Sequence, residues 1–360
     1  MRPPILPSIL SLSLLVLLSL AAPAEAQEEE GLRADLKIGA EVDTNATRDE
    51  GAQTSLDVLT RYFLKLESAQ AVGDGQGLDL KFRSGGKLYR RFEQEDALLN
   101  QGDVRYFLQP LAAWEQRWIF VTTAASLKDS TEEGRLRDYL RASAGAGLGL
   151  SLGPLTLTAG AGAALFVFKP DRRLSNSGPT SELGAQLRLS EAWALRAGVN
   201  LQEKRYPSSR FVARETTGEI VRDELTLRLD KVQSVSAGLA WRGPVVASLD
   251  LSWLDNASNS YGQSVERTGA ALTITAPLPW SVLVSATASL QQTAYGDEIF
   301  IDETLAVDED NRNSLVVEVE RPISERVGVA LRYALYGQEF GAASADYGRQ
   351  LFFLGLGVEY

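Results

Sequence analysis

The stretch RQLFFLGLGVEY, residues 349–360, has the alternating pattern of a β-strand with two different faces. Successive side chains of a strand point to opposite sides, so its residues separate into two sets. One set is apolar: Phe352, Leu354, Leu356, Val358 and Tyr360. The other set is Leu351, Phe353, Gly355, Gly357 and Glu359. Because the sequence stops here, we expect no later element to cover the apolar face. We predict that it contacts lipid, as the closing strand of a barrel.

The first 26 residues have the three parts of a secretory signal peptide. Arg2 supplies a positive start, residues 9–20 form an apolar run, and Ala24-Glu25-Ala26 provides a small-residue cleavage site. The apolar run is shorter than the roughly 20 residues that a spanning helix needs. We therefore predict a cleaved signal peptide at residues 1–26 and a single barrel domain at residues 27–360.

The composition argues against several classes of function. The formal net charge is −11 at pH 7, and nucleic-acid phosphates require a basic surface, so no nucleic-acid partner is expected. The chain has no His, the most frequent general base and transition-metal ligand. It also has no Cys, which removes a disulfide framework. We therefore predict no catalytic residue, no metal site and no cofactor.

Alternating runs recur from residue 33 to the end of the chain. In residues 54–67, one face carries Leu56, Val58, Thr60, Tyr62, Leu64 and Leu66, and the other carries Asp57, Arg61, Lys65 and Glu67. We count about sixteen such runs, within one hairpin (14–18). Short turns alternate with longer polar loops, and the ninth and tenth runs form a hairpin taller than the others. This pattern predicts an all-β fold, a transmembrane antiparallel up-and-down β-barrel.

The aromatic residues indicate two girdles, one at each membrane interface. Trp residues lie beside the short turns: Trp114, Trp118, Trp193, Trp241 and Trp280. Tyr residues lie toward the long loops: Tyr139, Tyr206, Tyr261, Tyr295, Tyr336 and Tyr347. Rings with one polar atom prefer the boundary between lipid and water. The alternative is that these rings cap the strands of a soluble sandwich, but such a sandwich needs polar outward faces.

The predicted mature chain resembles Gram-negative outer-membrane β-barrel proteins over its whole length. Its last strand resembles the C-terminal strand that the barrel-insertion machinery recognises in that class, although Tyr360 stands where Phe is usual. The segment IGAEVDTNATR, residues 38–48, has a Gly-x-x-x-Asp-x-Asn pattern. In this it resembles the first strand of barrels encoded with exopolysaccharide export systems. The first resemblance implies the outer membrane, with its lipid and the insertion machinery as partners. The second implies periplasmic export proteins.

Charged residues fall mainly on the face that we predict to be inner. The candidates for lining a pore are Asp57, Arg61, Lys65, Glu67, Lys81, Arg83, Arg105, Arg188, Arg196, Lys204, Arg228, Asp230, Asp250, Glu318, Glu320 and Arg332. A barrel of about sixteen strands is too wide for side chains to fill, so a water-filled lumen is expected. Basic residues on the early strands and on strands eight to ten would face an acidic strand fourteen across the lumen. This arrangement would set up a transverse electric field. The alternative is that these residues are solvated and pair across strands.

Small residues are concentrated on the predicted inner face of strands six to eight. They are Gly145, Gly147, Gly149, Gly160, Gly162, Ala164 and Gly184. Glycine within a strand marks a bend or the close approach of another backbone. Two interpretations stay open: barrel curvature, and a wall against which an inward-folded loop or a partner segment docks. On the closing strand, Leu351 and Phe353 point inward near the loops, which predicts a narrowed or occupied bore there.

The first hypothesis for function is a water-filled channel for polar solutes across the outer membrane. The second is the outer-membrane component of an exopolysaccharide secretion system. The third is a structural or partner-gated barrel without an open pore. Enzymatic barrels resemble this sequence in architecture alone, because the lipid-cleaving and proteolytic types depend on a His that this chain lacks. Chemistry based on Asp or Lys stays open, but no clustered motif indicates it, so no enzyme is predicted.

Overall fold

The computed structural model describes residues 31–47, 55–73, 75–109, 117–130, 138–214, 216–297, 313–337 and 348–360, without the side chains of residues 128–130. The predicted signal peptide at residues 1–26, Trp114 and Tyr347 lie outside the described residues. The described residues form one sheet of sixteen strands. No helix within these ranges is long and apolar enough to cross a membrane.

The strands follow one another in sequence around the sheet. Their bounds are β1 Leu32–Asp43, β2 Asp57–Gly73, β3 Gln76–Tyr89, β4 Ala97–Leu108, β5 Arg117–Ser130, β6 Tyr139–Leu152, β7 Leu155–Phe168, β8 Asn176–Arg188, β9 Trp193–Ala213, β10 Ile220–Arg242, β11 Val246–Ser258, β12 Val265–Leu278, β13 Val282–Tyr295, β14 Asn313–Pro322, β15 Val327–Gly337 and β16 Gly348–Glu359. Short 3₁₀ turns occur at Glu93–Glu95, Arg172–Leu174 and Pro279–Ser281. The two longest strands are β9 with 21 residues and β10 with 23, so the predicted tall hairpin is confirmed.

Each strand pairs antiparallel with its neighbours in sequence, and β1 pairs with β16 to close the sheet into a barrel. In the closing register, Leu36 lies opposite Val358 and Val42 lies opposite Phe352. The predicted all-β barrel of about sixteen strands is therefore confirmed. The soluble sandwich is wrong, because a single closed sheet has no second sheet to pack against.

Contacts between strands that are not neighbours identify the inner face, because only the concave side of a barrel brings such side chains together. Phe63 on β2 and Phe353 on β16 flank β1, and their ring centroids are 6.2 Å apart. Lys37 Nζ on β1 lies 2.8 Å from Glu318 Oε1 on β14, and β15 and β16 separate these two strands. Cross-strand partners share a face, so these contacts fix the inner residues of the other strands through the register.

The outer face is apolar. On the closing strand the five outer residues, Phe352, Leu354, Leu356, Val358 and Tyr360, are between 43% and 75% exposed. On other strands Leu148 and Leu183 are 59% and 61% exposed. An apolar surface around a closed antiparallel barrel is what a transmembrane barrel presents to lipid. The alternation of residues 349–360 therefore predicts the outer and inner faces of β16 correctly.

Candidate functional site

The strand register places the sixteen predicted pore-lining charges on the inner face. They are Asp57, Arg61, Lys65 and Glu67 on β2, Lys81 and Arg83 on β3, Arg105 on β4, Arg188 on β8, Arg196 and Lys204 on β9, Arg228 and Asp230 on β10, Asp250 on β11, Glu318 and Glu320 on β14, and Arg332 on β15. Their inward direction follows from period-two alternation, which the sequence contains.

The sequence prediction misses several inner carboxylates. On β1, β3 and β4 they are Asp35, Glu41, Asp43, Asp79 and Asp103. The early strands are therefore mixed in sign, and the predicted basic wall there is wrong. The acidic residues of β14 are also not isolated, because Lys37 Nζ binds both Glu318 and Glu320. Carrying the alternation through residues 35–43 would have found the inner residues of β1.

Several inner charges neutralise one another across strands. Arg61 Nη1 lies 2.6 Å from Glu41 Oε1, and Arg196 Nε donates to Asp250 Oδ1 at 3.0 Å. These contacts support the interpretation that part of the charge on the inner face is paired. Within the described ranges, no group of three His, Cys, Asp or Glu side chains could hold a metal ion.

A buried ion pair joins β1 to β16 at the loop end of the barrel. Asp43 and Arg349 are 0% and 4% exposed. Arg349 Nε donates to the two carboxylate oxygens of Asp43 at 3.0 and 3.1 Å, and the Tyr89 hydroxyl donates to Asp43 Oδ2 at 2.9 Å. The backbone N–H of Asn45 donates to Asp43 Oδ1 at 3.0 Å. One carboxylate thus accepts hydrogen bonds from β16, from β3 and from the segment that follows β1.

The chain after β3 folds over the same end of the barrel. The backbone N–H groups of Arg91 and Phe92 donate to Asp57 Oδ2 at 2.9 and 3.1 Å. Phe92 packs against buried Leu59 and Tyr89. We call this group the loop-end cluster: Asp43, Ala46, Asp57, Leu59, Tyr89, Phe92 and Arg349. It fills the inner face over β1, β2 and β3.

Asp96 lies beside the loop-end cluster, between the 3₁₀ turn and β4. Its Oδ1 accepts the backbone N–H of Tyr89 at 2.6 Å. Burial, with smaller contributions from the charges of Glu93 and Asp57, raises the pKa of Asp96 to about 6 against the lowering effect of that hydrogen bond. Asp96 therefore changes charge at mildly acidic pH.

The inner face of β16 is filled near the loops. Leu351 and Phe353 are 2% and 3% exposed. The Phe353 ring meets the edge of Phe63, and the guanidinium of Arg61 lies 4.5 Å from the centroid of Phe63. The guanidinium of Arg332 approaches the same ring at 5.6 Å. The lumen beside β16 is therefore lined by packed apolar side chains at this level, as the inward direction of Leu351 and Phe353 predicts.

Two of the inner glycines on β6 are covered by aromatic rings from β5. The ring of Phe120 lies against Gly147, and the ring of Trp118 lies against Gly149. A side chain at either glycine would overlap the ring. Glycine beside an aromatic residue lets the ring lie flat on the sheet. The interpretation of a bare wall is therefore wrong at these two positions.

The other small residues mark close approach between strands. Gly145 and Gly162 lie opposite each other on β6 and β7. A Cβ at Gly162 would overlap the backbone carbonyl of Ala144, and added atoms at Gly160 and Gly184 would meet side chains of the neighbouring strand. These contacts favour strand packing and curvature over a docking wall.

The aromatic girdle predicted on the loop side is wrong for Tyr139, Tyr206, Tyr295 and Tyr336, which lie on the inner face. Trp118, predicted in the girdle on the turn side, also lies on the inner face. Tyr261 lies in the connection between β11 and β12. On the turn side, the outer rings of Trp193 and Trp241 have centroids 6.0 Å apart, and Trp280 is 82% exposed. The position of a residue along a strand gives its depth in the membrane, whereas alternation decides whether its side chain faces lipid or the lumen. The girdle prediction rests on depth alone.

A chamber of about 740 Å³ lies inside the barrel. Its lining comes from β1 to β10, β15 and β16, and from Leu174 in the 3₁₀ turn between β7 and β8. The aromatic part of the lining includes Tyr139 and Phe166, whose ring centroids are 5.6 Å apart. The volume is within the range of sites that bind small molecules.

No protein-family model matches this sequence, and no curated protein matches it. Several solved structures are similar to this chain. OmpT of Vibrio cholerae, expressed in the outer membrane, is 9% identical with a TM-score of 0.48, covering 94% of this chain and 100% of that chain. A mutant of the TodX monoaromatic hydrocarbon channel is 10% identical with a TM-score of 0.42, covering 93% and 90%. A mutant porin of Rhodopseudomonas blastica is 12% identical with a TM-score of 0.40, covering 92% and 100%.

Proposed function

We propose that this chain forms a water-filled channel through which polar solutes cross the outer membrane of a Gram-negative bacterium. The observation that supports the proposal is the contrast between the two faces of the closed sheet. The outer face is apolar, while the inner face carries exposed charged side chains such as Arg83, Arg141 and Arg188. Charges inside a membrane barrel require water around them. A barrel of sixteen strands is wide enough to contain that water.

The proposed surroundings follow from the outer face. Its exposed leucines would contact the hydrocarbon of outer-membrane lipid, and Trp193 and Trp241 would lie at the boundary with water. The outer residues of the closing strand, from Phe352 to Tyr360, are proposed as the segment that the barrel-insertion machinery binds. No catalytic role is proposed, because pairing and solvation account for the inner charges described above.

Planar lipid bilayers containing the refolded barrel test the channel. We expect stable currents that rise in proportion to voltage and salt concentration. Heat-unfolded protein from the same preparation is the control and should give no current. A barrel that is folded by circular dichroism but silent at every voltage would contradict the proposal.

A gated barrel is the second candidate, and the loop-end cluster supports it. Buried Asp43, Arg349 and Leu59 fill the inner face at the loop end, so a displacement of this cluster would widen the lumen. A gated barrel would switch between discrete closed and open current levels in the bilayer. A permanently open pore would show a single level.

The exopolysaccharide alternative has weaker support. In the Gly-x-x-x-Asp-x-Asn pattern, Gly39 lies against the backbone of Leu354, which a side chain would overlap. Asp43 binds Arg349, and Asn45 Nδ2 donates to the carbonyl of Gly348. These contacts join β1 to β16, so the pattern already has a structural role in closing the barrel. Co-purification of the barrel with periplasmic export proteins would support this alternative.

A further inference from the structure

One row of cross-strand neighbours lines the chamber from β1 to β8. Each residue in the row lies opposite the next: Asp35, Lys65, Arg83, Gln101, Ser126, Arg141, Phe166 and Asn176. All eight residues line the chamber. The register therefore gathers into one line side chains that are far apart in sequence.

The middle of this row presents hydrogen-bond donors that no described residue accepts. We call its four residues the donor row: Arg83, Gln101, Ser126 and Arg141. In the part of the chain that the structure describes, none of these side chains makes a hydrogen bond or an ion pair. Ser126 Oγ is also buried, and buried hydroxyl groups normally have a partner. Two guanidinium groups, an amide and a hydroxyl thus lie in consecutive positions on four adjacent strands.

The chamber around the donor row is positively charged. The basic residues in its lining are Arg61, Lys65, Arg83, Lys87, Arg141, Lys204, Arg228 and Arg349. Asp35 is the one carboxylate among the described lining residues. Four of the basic residues bind carboxylates that stand outside the lining: Arg61, Lys65, Arg228 and Arg349. Arg83 and Arg141 form no ion pair among the described residues, so their charges contribute to the positive potential of the chamber.

We propose that the donor row binds the oxyanion group, a carboxylate or a phosphate, of a solute in transit, a role that rests on the proposed channel. Three strand spacings of about 4.8 Å separate the backbones of Arg83 and Arg141 by about 14 Å. Long side chains on both flanks can therefore approach one anion from two sides. Guanidinium groups bind carboxylates and phosphates through two parallel N–H donors. Gln101 adds a neutral donor between them, and the ring of Phe166 continues the row beside the apolar part of an organic anion.

Titration calorimetry of the detergent-solubilised barrel with succinate or inorganic phosphate tests the binding. The test variant is the double substitution Arg83→Gln and Arg141→Gln. Arg188→Gln is the matched control, since Arg188 is another exposed inner arginine without an ion pair among the described residues but lies outside the chamber lining. We expect the double variant to bind at least about tenfold more weakly and the control to bind like the wild type. The stronger of the two ligands distinguishes a carboxylate solute from a phosphate solute.

A second variant separates charge from geometry. The double substitution Arg83→Lys and Arg141→Lys keeps both charges but removes the planar pair of donors. We expect it to retain the anion preference of the channel and to lose most of the affinity for the anion. Equal affinity for wild type and for both double variants, each folded by circular dichroism, would overturn the proposal.

Bilayer recordings provide the second readout. In a potassium chloride gradient, the reversal potential should show chloride more permeant than potassium, and the glutamine variant should lower that ratio. Succinate or phosphate should block the wild-type current, and the glutamine variant should require at least about tenfold more blocker. Potassium selectivity in the wild type, or an equal change in block by Arg188→Gln, would contradict the proposal that the donor row binds anions. A barrel without current would contradict the channel alone, because the calorimetry still decides whether the row binds anions.

Discussion

Arg349 in the loop-end cluster and Arg141 in the donor row are both inner-face arginines, but their surroundings differ. Arg349 is 4% exposed and donates to Asp43 and to the Tyr89 hydroxyl. Arg141 is exposed and lies between Ser126 and Phe166 on the adjacent strands. The same side chain therefore stabilises the fold in one place, and in the other it faces the lumen with donors that no described residue accepts. The cross-strand neighbours decide which role an inner charge takes.

The two regions should also differ in their energetic response to substitution. Removing one member of a buried ion pair leaves an uncompensated charge, which is strongly unfavourable. Removing a solvated side chain without a partner leaves nothing unsatisfied behind it. Substitutions in the loop-end cluster should therefore affect stability, whereas substitutions in the donor row should affect solutes.

The largest effect is expected for Asp43→Ala. This change leaves the guanidinium of Arg349 buried without its counter-charge, and we expect a loss of about 3 to 5 kcal/mol in the free energy of unfolding. Denaturant unfolding in lipid vesicles measures it. Asp250→Ala is the matched control, because its pair with Arg196 is solvent-exposed and should contribute about 0 to 1 kcal/mol. Equal destabilisation by the two substitutions would remove the distinction between buried and open inner charges.

A smaller effect is expected for Asp57→Ala. The backbone N–H groups of Arg91 and Phe92 would lose their acceptor, at a cost of about 1 to 3 kcal/mol. Hydrogen exchange at these two amides should accelerate. Arg83→Ala serves as the control and should leave both exchange rates unchanged. Unaltered exchange in Asp57→Ala would show that other contacts hold the segment after β3.

A pH effect of still smaller size is expected at Asp96. The folded-state pKa of about 6 lies above the ordinary value of 3.8. Folding therefore favours the neutral carboxyl group of Asp96. The contribution of this group to the stability of the fold is complete below about pH 4 and is lost as the pH rises through about 6. After correction for intrinsic rates, the Tyr89 amide should be protected severalfold better at pH 5 than at pH 7. Asp96→Asn should abolish this difference in protection between the two pH values. If the difference persists in the variant, a titratable group other than Asp96 causes it.

The smallest effect on stability is expected for the double substitution Arg83→Gln and Arg141→Gln. Neither arginine pairs with a carboxylate in the described residues, so the free energy of unfolding should change by no more than about 0.5 kcal/mol. Denaturant unfolding beside the wild type checks this. A loss similar to that of Asp43→Ala would mean that the donor row stabilises the fold, and the comparison between the two regions would fail.

The fold could be predicted from the sequence because the pattern that specifies it lies within each strand. Outer and inner sides alternate every residue, so Leu354 and Phe353 can be assigned to opposite faces of the closing strand without knowing their neighbours. The same rule places Arg61 and Arg83 on the inner face. On β1 the rule also gives Glu41 and Asp43 inward positions. Tyr139 and Tyr206 lie inside the barrel, because alternation and not depth along the strand decides their face.

The candidate site could be predicted only in part from the sequence, because it depends on the register between neighbouring strands. Phe120 covers Gly147 through the register between β5 and β6. Neither residue predicts the other, since a shift of the register would pair that ring with a different residue. The glycine therefore suggested a bare wall, whereas the neighbouring strand supplies a ring.

The sequence by itself determined the number of strands to within one hairpin, their direction and the alternation of their faces, because these depend on patterns and turns within short segments. The tertiary structure decided which inner side chains meet. Asp43 and Arg349 come together only when β1 closes on β16, and Arg83 and Arg141 join one row only through three successive registers. Closure and register are properties of the whole barrel, so the division of the inner face into a packed cluster and an open row of donors could not be obtained from any single strand.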